Sequence, residues 1–472
     1  TLLVVCCLLT IVSGRAGSLY GREFMIDTLG RHTQWDPAVA FDGTNFLVVW
    51  ADFRTGGAGT YCSRVNPTTG VLDPVGIPVS VKGLQYYPAV AFDGTNYLAV
   101  WEQWDANPRT SDIRGARVAP AGRILDSISI VVSSAPNRQG NPAVSFDGEN
   151  YLVVWDDYRN EGVYSDIYGA RVTPAGTVLD TTGIVISAAP YYQVMPRLAF
   201  DGTNYLVVWS DLRGGSLPCI YGTRVTPAGE VLDTAGIGIG MSPDGNRRPA
   251  VASGGEEFLV VWDAGGEIVY CARVTPDGQS LDPQGILVAN GYDAPFYPAV
   301  TFAGTHYFVV WRHEAIGGTP SPCLFGARVS PAGEVDSTIT LVVHNYAVQR
   351  PRVACGGGVM FVVYVGWTYI IDGKYYGRDR IWGKFGPFPG AGEEPAQPPA
   401  HDRQPKSTIV RAVLNLTPAS NTGRSMSSRL FDMSGRKVME LVPGPNDVRQ
   451  LAPGVYFVQE TSGTRKVILT RE

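Results

Sequence analysis

An aspartate followed two residues later by an arginine recurs in this sequence and could bind a polar ligand. The pairs are Asp52/Arg54, Asp157/Arg159 and Asp211/Arg213. Carboxylates accept and guanidinium groups donate several directed hydrogen bonds, so these pairs suit sugar hydroxyls or peptide groups. They could instead pin each loop to its neighbour, because buried polar groups need partners. Recurrence favours this second interpretation, since one active site has no need of repeated copies.

Aromatic and amide side chains lie close to these pairs in the sequence. The aromatic residues are Trp35, Tyr86, Tyr87, Trp104, Tyr158, Tyr191, Tyr192, Phe296, Tyr297 and Trp367. The amides are Gln34, Gln85, Gln139, Gln193 and Asn246, each three residues before a repeated proline. Exposed aromatic faces suit a sugar or peptide ligand, and amides could ring the mouth of a channel. Alternatively, the amides satisfy backbone groups of loops.

Catalytic chemistry has less support in the sequence. His313 and Glu314 are adjacent and are the best acid/base candidates, although no partner nucleophile is identifiable and a solvated loop pair is the plainer interpretation. The five histidines lack metal-ligand spacing, and no catalytic triad order, phosphate loop or calcium loop occurs. A glycosidase would need two carboxylates across a channel mouth. Asp52, Asp157 and Asp211 could supply them, but nothing selects a pair, so we expect no cofactor and no metal and leave enzymatic activity open.

Seven sequence segments align without a gap and define an internal repeat. They are PAVAFDGTNFLVVW from Pro37, PAVAFDGTNYLAVW from Pro88, PAVSFDGENYLVVW from Pro142, PRLAFDGTNYLVVW from Pro196, PAVASGGEEFLVVW from Pro249, PAVTFAGTHYFVVW from Pro298 and PRVACGGGVMFVVY from Pro351. Their mean spacing of about 52 residues suits four-stranded propeller blades. The unit resembles repeats found in uncharacterised secreted bacterial proteins, a resemblance that implies no activity.

The repeat predicts an all-β fold, a seven-bladed propeller of four-stranded antiparallel blades over residues 22–385. In each repeat, the pattern predicts a strand at PAVAF, a hairpin turn at Asp-Gly-Thr-Asn, and a second strand at YLVVW. The second strand is apolar on both faces. The seventh repeat lacks an outer strand, and residues 22–28 precede the first repeat without a partner. We expect residues 22–28 to complete the last blade and close the ring.

Loop lengths distinguish the two rims of the expected ring. The hairpins between strands one and two and between strands three and four keep nearly constant length, whereas the loop after each repeated tryptophan varies. Scaffolds hold length where geometry is fixed, so the variable rim is the expected binding face. In blades one to six, we expect an arginine in the third strand to pair with an aspartate that follows it, and we expect these pairs to hold neighbouring blades together. The six pairs run from Arg64/Asp73 through Arg117/Asp126, Arg171/Asp180, Arg224/Asp233 and Arg273/Asp282 to Arg328/Asp336.

Composition limits the classes of partner. Lys+Arg total 38 and Asp+Glu 43, a formal charge of −5, which argues against nucleic acid as a partner. The apolar run in residues 1–16 is typical of a secretory signal peptide whose beginning is missing. Five cysteines remain after it, in columns of non-adjacent blades, so we expect no disulfide. We expect an exported, monomeric protein.

The end of the chain differs from the repeats. Residues 386–406 are rich in proline and glycine and are expected to form a linker. Residues 407–472 contain LFDMSGRKV, LAPGVYFV and the terminal TRKVILTR, and in this order they resemble the type A C-terminal sorting domain of the type IX secretion system. That resemblance implies a small immunoglobulin-like β-sandwich that addresses the protein to outer-membrane secretion machinery. A plain adhesion module of the same fold is the alternative.

Two functions remain open from the sequence. The favoured one is a secreted or cell-surface propeller that binds an extracellular glycan or protein through its variable rim. The alternative is an extracellular carbohydrate-active hydrolase or lyase that uses rim carboxylates. The candidate ligand-binding residues are Asp52, Arg54, Trp104, Asp157, Tyr158, Arg159, Tyr192, Asp211, Arg213, Tyr297, His313 and Glu314.

Overall fold

The protein is an all-β, seven-bladed propeller in the computed structural model, as the repeat predicts. The structure describes residues 21–28, 32–104, 110–160, 163–215, 217–290, 295–313, 323–336, 339–343, 348–368 and 378–386, together with strands and one further residue between 408 and 469. The expected signal segment 1–16, Glu314 and residues 387–406 of the expected linker lie outside them.

Each blade has an inner, a second, a third and an outer strand, in that order from the central channel outwards. Their bounds in blades one to three are Gln34–Phe41, Phe46–Asp52, Gly59–Asn66 and Ile77–Ser80; Leu84–Phe92, Tyr97–Trp104, Ser111–Val118 and Ile130–Ser133; Gln139–Phe146, Tyr151–Asp157, Asp166–Val172 and Ile184–Ser187. In blades four to six they are Gln193–Phe200, Tyr205–Asp211, Cys219–Val225 and Ile237–Gly240; Asn246–Ser253, Phe258–Ala264, Ile268–Val274 and Ile286–Asn290; Pro295–Phe302, Tyr307–His313, Cys323–Val329 and Ile339–Val343. A short strand in blade one, Gly70–Val71, also pairs with the third strand.

Blade seven joins the two ends of the propeller. Its first three strands are Val348–Gly356, Val359–Thr368 and Arg378–Gly386, and its outer strand is Glu23–Met25. That strand runs antiparallel to the third, with Phe24 opposite Gly383. The phenyl ring of Phe24 packs on those of Phe361 and Phe385, at centroid distances of 6.0 and 5.5 Å. The start of the chain therefore closes the ring, which removes exposed sheet edges.

The second strands form the core of each blade because both of their faces are buried. The repeated tryptophans are at most 2 % exposed, so this column packs between neighbouring sheets, as predicted. The members of the column are Trp50, Trp101, Trp155, Trp209, Trp262, Trp311 and, in blade seven, Tyr364. Among the cysteines whose burial is described, Cys62, Cys219, Cys271 and Cys355 carry free thiols.

Contacts between blades come from side chains that reach a neighbouring turn. The hydroxyl of Tyr151 in blade three donates to the carbonyl of Asn96 in the blade-two turn at 3.0 Å, and Tyr97 reaches Asn45 in the same way at 3.1 Å. All six predicted arginine–aspartate pairs form. Each lies within one blade, however, because nine or eight residues of one hairpin separate the partners. Arg117 also donates to the carbonyl of Pro174 in the next blade, so the arginine contributes the contact between blades and the aspartate holds it in place.

The strands beyond residue 407 form two further sheets. One contains Thr408–Val410, Gly463–Leu469, Gly454–Glu460, Ser428–Phe431 and Lys437–Leu441 in that spatial order, and the other contains Val413–Leu416 and Gly444–Asp447. The first pair in the larger sheet is parallel. The immunoglobulin-like sandwich and its sorting role stay predictions.

Candidate functional site

The Asp-x-Arg pairs lie at the variable rim, where each forms part of a buried network. Asp157 is fully buried and accepts from the indole Nε1 of Trp155 at 2.7 Å. It also accepts from the backbone N–H and the guanidinium of Arg159, at 2.8 and 2.6 Å. That guanidinium lies 3.9 Å from the ring centre of Tyr168 and donates to the carbonyl of Thr182 at 2.5 Å.

The same network recurs in blades one and four. Asp52 and Asp211 accept from Trp50 and Trp209 and pair with Arg54 and Arg213. Burial raises the pKa of Asp52, but hydrogen bonds from Arg54, Trp50 and Gln34 outweigh it and hold that pKa below its usual value. These contacts pin the loop after the second strand. A role for the six residues in ligand binding stays a prediction, and it would have to involve carboxylates that are at most 1 % exposed.

The amides before each proline are also buried and engaged. Gln193 Nε2 donates to the carbonyls of Ala189, Pro190 and Tyr191 at 2.9, 3.2 and 2.8 Å. Gln139 binds the equivalent carbonyls of its own loop. Full burial of all five amides keeps them from the channel mouth, so they act as the loop-satisfying groups of the alternative interpretation. The five are Gln34, Gln85, Gln139, Gln193 and Asn246.

The aromatic candidates occupy separate places on the variable rim. Trp104 and Tyr158 both lie near Arg138, whose guanidinium carbon is 5.7 and 5.5 Å from their ring centres. Tyr192 makes an edge contact with Tyr164, with ring centres 5.0 Å apart. The imidazole of His313 lies 4.8 Å from the ring of Phe325. Of the twelve candidate ligand-binding residues, Tyr297 is the only one in the described part of the chain that lines the central cavity, and it does so together with Tyr87 from the wider set of aromatic residues.

That cavity, of about 360 Å³, occupies the channel where the inner strands begin. The residue before the repeated proline lines it in every blade, and each of these seven residues has a φ between +50° and +58°. Only the identity of the residue changes around the ring. The members of this ring, called here the mouth ring, are Asp36, Tyr87, Asn141, Met195, Arg248, Tyr297 and Arg350.

A β-bulge explains the unusual backbone of the mouth ring. In blade four the register shifts between Val194 and Arg197, and the same shift occurs in the other six inner strands. A bulge redirects a side chain that regular pairing would place elsewhere. A left-handed backbone costs an L-residue about 1–2 kcal/mol, so the fold maintains seven strained residues around one channel. Such strain is concentrated at functional sites.

In blades two, three and five, an acidic residue follows the repeated tryptophan and contacts members of the mouth ring. Asp156 Oδ2 accepts from the Asn141 side chain at 2.7 Å and from the backbone N–H of Met195 in the next blade at 3.3 Å. Glu102 likewise accepts from the backbone N–H of Asn141 at 3.3 Å. Asp263 holds the guanidinium of Arg248 at 2.7 Å. These buried carboxylates position the mouth ring and do not line the cavity.

A second ring lies one residue beyond the proline. Five blades place alanine there, whereas blades four and seven place Arg197 and Arg352. Each guanidinium donates to the carbonyl of the proline before it, at 2.7 Å for Arg197 and 2.9 Å for Arg352. The alanine members are Ala38, Ala89, Ala143, Ala250 and Ala299.

The sequence contains a signal for the members of both rings. The residue before the repeated proline differs from one repeat to the next, whereas the residues from the proline onward are similar. The two arginines are visible as PRLAF and PRVAC against PAVAF. The positive φ and the bulge have no such signal, because X-Pro usually predicts extended backbone for X.

Within the described ranges, no three His, Cys, Asp or Glu side chains group as a metal site would need. No helix in that part of the chain has the length and apolarity to cross a membrane.

No known protein family and no curated protein matches this chain. Solved structures with a similar fold include an α-L-arabinofuranosidase from Fusarium graminearum in complex with an iminosugar inhibitor (11 % identity, 76 % of this chain and 94 % of that chain, TM-score 0.41). A thermostable family-43 glycoside hydrolase matches at 14 % identity (53 % and 91 %, TM-score 0.35). An acylaminoacyl peptidase from Pyrococcus horikoshii matches at 11 % identity (74 % and 51 %, TM-score 0.42), so this chain spans about half of its length. Likenesses at this level assign no activity to this chain.

Proposed function

We propose that this protein is an extracellular glycan-binding propeller that takes its ligand at the mouth ring. The observation that carries the proposal is the mouth ring itself. Seven strained bulges direct seven side chains of differing chemistry into one cavity. A scaffold that needed the bulges for folding alone would have no reason to vary the side chains.

The side chains of the mouth ring suit a sugar. Tyr87 and Tyr297 offer aromatic surface, which packs on the apolar face of a pyranose ring. Asp36 and Asn141 supply directed acceptors and donors for hydroxyl groups. A cavity of about 360 Å³ is at the small end of ligand pockets. It therefore suits one or two sugar units at the end of a chain better than a folded protein surface.

Binding is favoured over hydrolysis because of the carboxylates. A glycosidase needs two of them facing the bond that is cleaved. Asp36 is the sole carboxylate among the described residues that line the cavity, and it is bound to Arg350. A hydrolase or lyase that uses rim carboxylates stays the alternative, and release of new reducing ends from bound glycans would establish it.

The test uses the full chain on a glycan array, with tyrosine variants. Tyr297→Ala should lower the affinity for bound glycans by about tenfold, equivalent to about 1.4 kcal/mol. Tyr191→Ala is the matched control, because Tyr191 is a half-exposed rim tyrosine that does not line the cavity. An equal loss in both variants, or glycan binding that neither variant changes, would place the site elsewhere.

We also propose that the protein is secreted or held at the outer cell surface, with residues 407–472 recognised by outer-membrane secretion machinery. The sequence motifs of both ends support this proposal. Removal of residues 407–472 should leave the protein inside the outer membrane, detected by fractionation and immunoblotting. Unchanged export of the truncated chain would contradict it.

A further inference from the structure

Two arginines in the second ring line the cavity without an acidic partner. Arg197 comes from blade four and Arg352 from blade seven, and both line the same cavity. Among the described residues, no carboxylate lies within ion-pair distance of either guanidinium. Arg197 and Arg352 donate instead to the neutral carbonyls of Pro196 and Pro351.

The other arginines of the cavity differ in this respect. Arg248 forms two hydrogen bonds with the carboxylate of Asp263, at 2.7 and 2.9 Å. Arg350 is paired with Asp36. Arg248 and Arg350, which have carboxylate partners, belong to the mouth ring. Arg197 and Arg352 belong to the second ring, two residues further along the inner strand. Positive charge is therefore left uncompensated inside the channel of a protein whose formal charge is −5.

The pKa values of the cavity arginines also reflect this uncompensated positive charge. Burial and the charge of Arg352 lower the pKa of the Arg197 guanidinium to about 9. Burial and the same neighbour lower the pKa of Arg350. The charge of Asp156 acts in the opposite direction on Arg197 without forming an ion pair. The charge of Arg352 therefore repels the guanidinium groups of both Arg197 and Arg350.

We propose that Arg197 and Arg352 together bind the negatively charged group of an acidic sugar in the channel. Guanidinium groups bind carboxylate or sulfate oxygens through paired, charge-assisted hydrogen bonds, and such bonds are strongest where water is excluded. A bound anion would supply the counter-charge that the two side chains lack. The inference rests on the proposed glycan-binding function and narrows its ligand to acidic glycans.

An acidic peptide would offer the same charge. The sugar is favoured because Tyr87 and Tyr297 of the mouth ring lie above the arginines along the inner strands. A sugar acid could place its ring against these tyrosines while its charged group reaches the second ring.

The experiment measures binding of the full chain by calorimetry. The probes are oligogalacturonate, a sulfated galactan fragment, an uncharged galactan fragment of equal length and hexaglutamate. An acidic sugar should bind at least about tenfold more tightly than the uncharged one, and Arg197→Gln or Arg352→Gln should remove that difference. Arg247→Gln is the control, because Arg247 is exposed on the same rim beside the mouth ring and does not line the cavity.

A second measurement separates a binding role from a structural one. Without ligand, Arg197→Gln should raise the thermal midpoint, since one of two repelling charges is removed. An arginine that supported the fold would instead lower it on substitution. A lower midpoint together with unchanged preference for acidic sugars would overturn the proposal.

The outcomes also distinguish this inference from the proposed function. Binding of charged and uncharged glycans with equal affinity, still weakened by Tyr297→Ala, would overturn the acidic-sugar site and leave glycan binding standing. Binding of hexaglutamate but of none of the sugars would overturn both, and would assign the two arginines to a peptide ligand.

Discussion

The guanidinium of Arg350 in blade seven donates to the carboxylate of Asp36 in blade one, although 314 positions separate them in the chain. Both residues belong to the mouth ring. Nearby, the backbone N–H of Ile381 donates to Gln34 Oε1 at 3.1 Å, and the Trp35 indole donates to Asp379 at 2.8 Å. The seam at which the propeller closes is thus also a wall of the candidate binding cavity. A change that opens the ring at this seam should therefore also weaken ligand binding in the cavity.

Ile26 tests the seam directly. Its side chain is fully buried beside the closing strand, in a cluster with Phe361 and Ile381. Ile26→Ala should lower the free energy of unfolding by about 2–4 kcal/mol, because a buried isoleucine leaves a cavity when truncated. Urea denaturation followed by tryptophan fluorescence measures the change.

Ile128→Ala is the matched control, since Ile128 is 84 % exposed in blade two. It should change the free energy of unfolding by less than about 0.5 kcal/mol. Equal effects of the two substitutions would mean that the closing strand does not dock in solution.

The scaffold could be predicted from the sequence because each blade repeats one local pattern. The turn at Asp42 illustrates this: Asp42 Oδ1 accepts the N–H groups of Thr44 and Asn45, both at 2.7 Å, and Gly43, between Asp42 and Thr44, has a φ of +95°. Strand, turn and buried strand are all encoded within about 14 residues. The seven-bladed ring follows from counting this unit.

The candidate site could be predicted only in part. The variable rim was identified from loop lengths, but most of the polar residues singled out there are buried and occupied, as Asp157 is by Trp155 and Arg159. The type of a residue does not show whether its polar groups are free to bind a ligand or are already hydrogen-bonded within the protein. The cavity residues depend on a bulge, and a bulge is a property of strand register that one sequence does not display.

Acid should destabilise the propeller through its arginine–aspartate pairs. Hydrogen bonds and the charge of Arg171 outweigh burial and hold the pKa of Asp180 below its usual value. A carboxyl with a lowered folded-state pKa stabilises the protein above its unfolded-state pKa, and that contribution is lost as the pH falls through the folded-state pKa. Asp73, Asp126, Asp233 and Asp282 behave in the same way.

Arg171→Gln isolates one of these pairs. Burial raises the pKa of Glu102 and of Asp263, so the titration of these two groups changes the stability in the opposite direction as the pH falls. The informative quantity is therefore the difference in unfolding free energy between wild type and variant. It should be largest at pH 7 and shrink as the pH falls below about 4. Urea unfolding at pH 7, 5, 4 and 3 measures it. A difference that is constant over this range would contradict an ionic role for the pair.

Asp157→Asn tests whether the Asp-x-Arg pairs serve the fold or the ligand. Asparagine has nearly the same shape but no charge and only one acceptor oxygen, so the Arg159 guanidinium loses its ionic partner. We expect the free energy of unfolding to fall by about 2–4 kcal/mol, with glycan affinity changed less than twofold. Asp211→Asn should behave alike, because its contacts are the same. Lost binding with unchanged stability would instead establish these carboxylates as ligand groups.

Met195 tests the strained backbone on which the mouth ring depends. Its φ of +58° is one that β-branched residues adopt only with severe strain. Met195→Val should therefore lower the free energy of unfolding by about 2 kcal/mol or more, whereas Met195→Gly should stay within about 1 kcal/mol because glycine adopts this conformation readily. Met241 is an exposed methionine with ordinary backbone, and its valine variant should be nearly neutral. Urea denaturation ranks the variants, and a valine at position 195 that is tolerated as well as glycine would show that the bulge relaxes in solution.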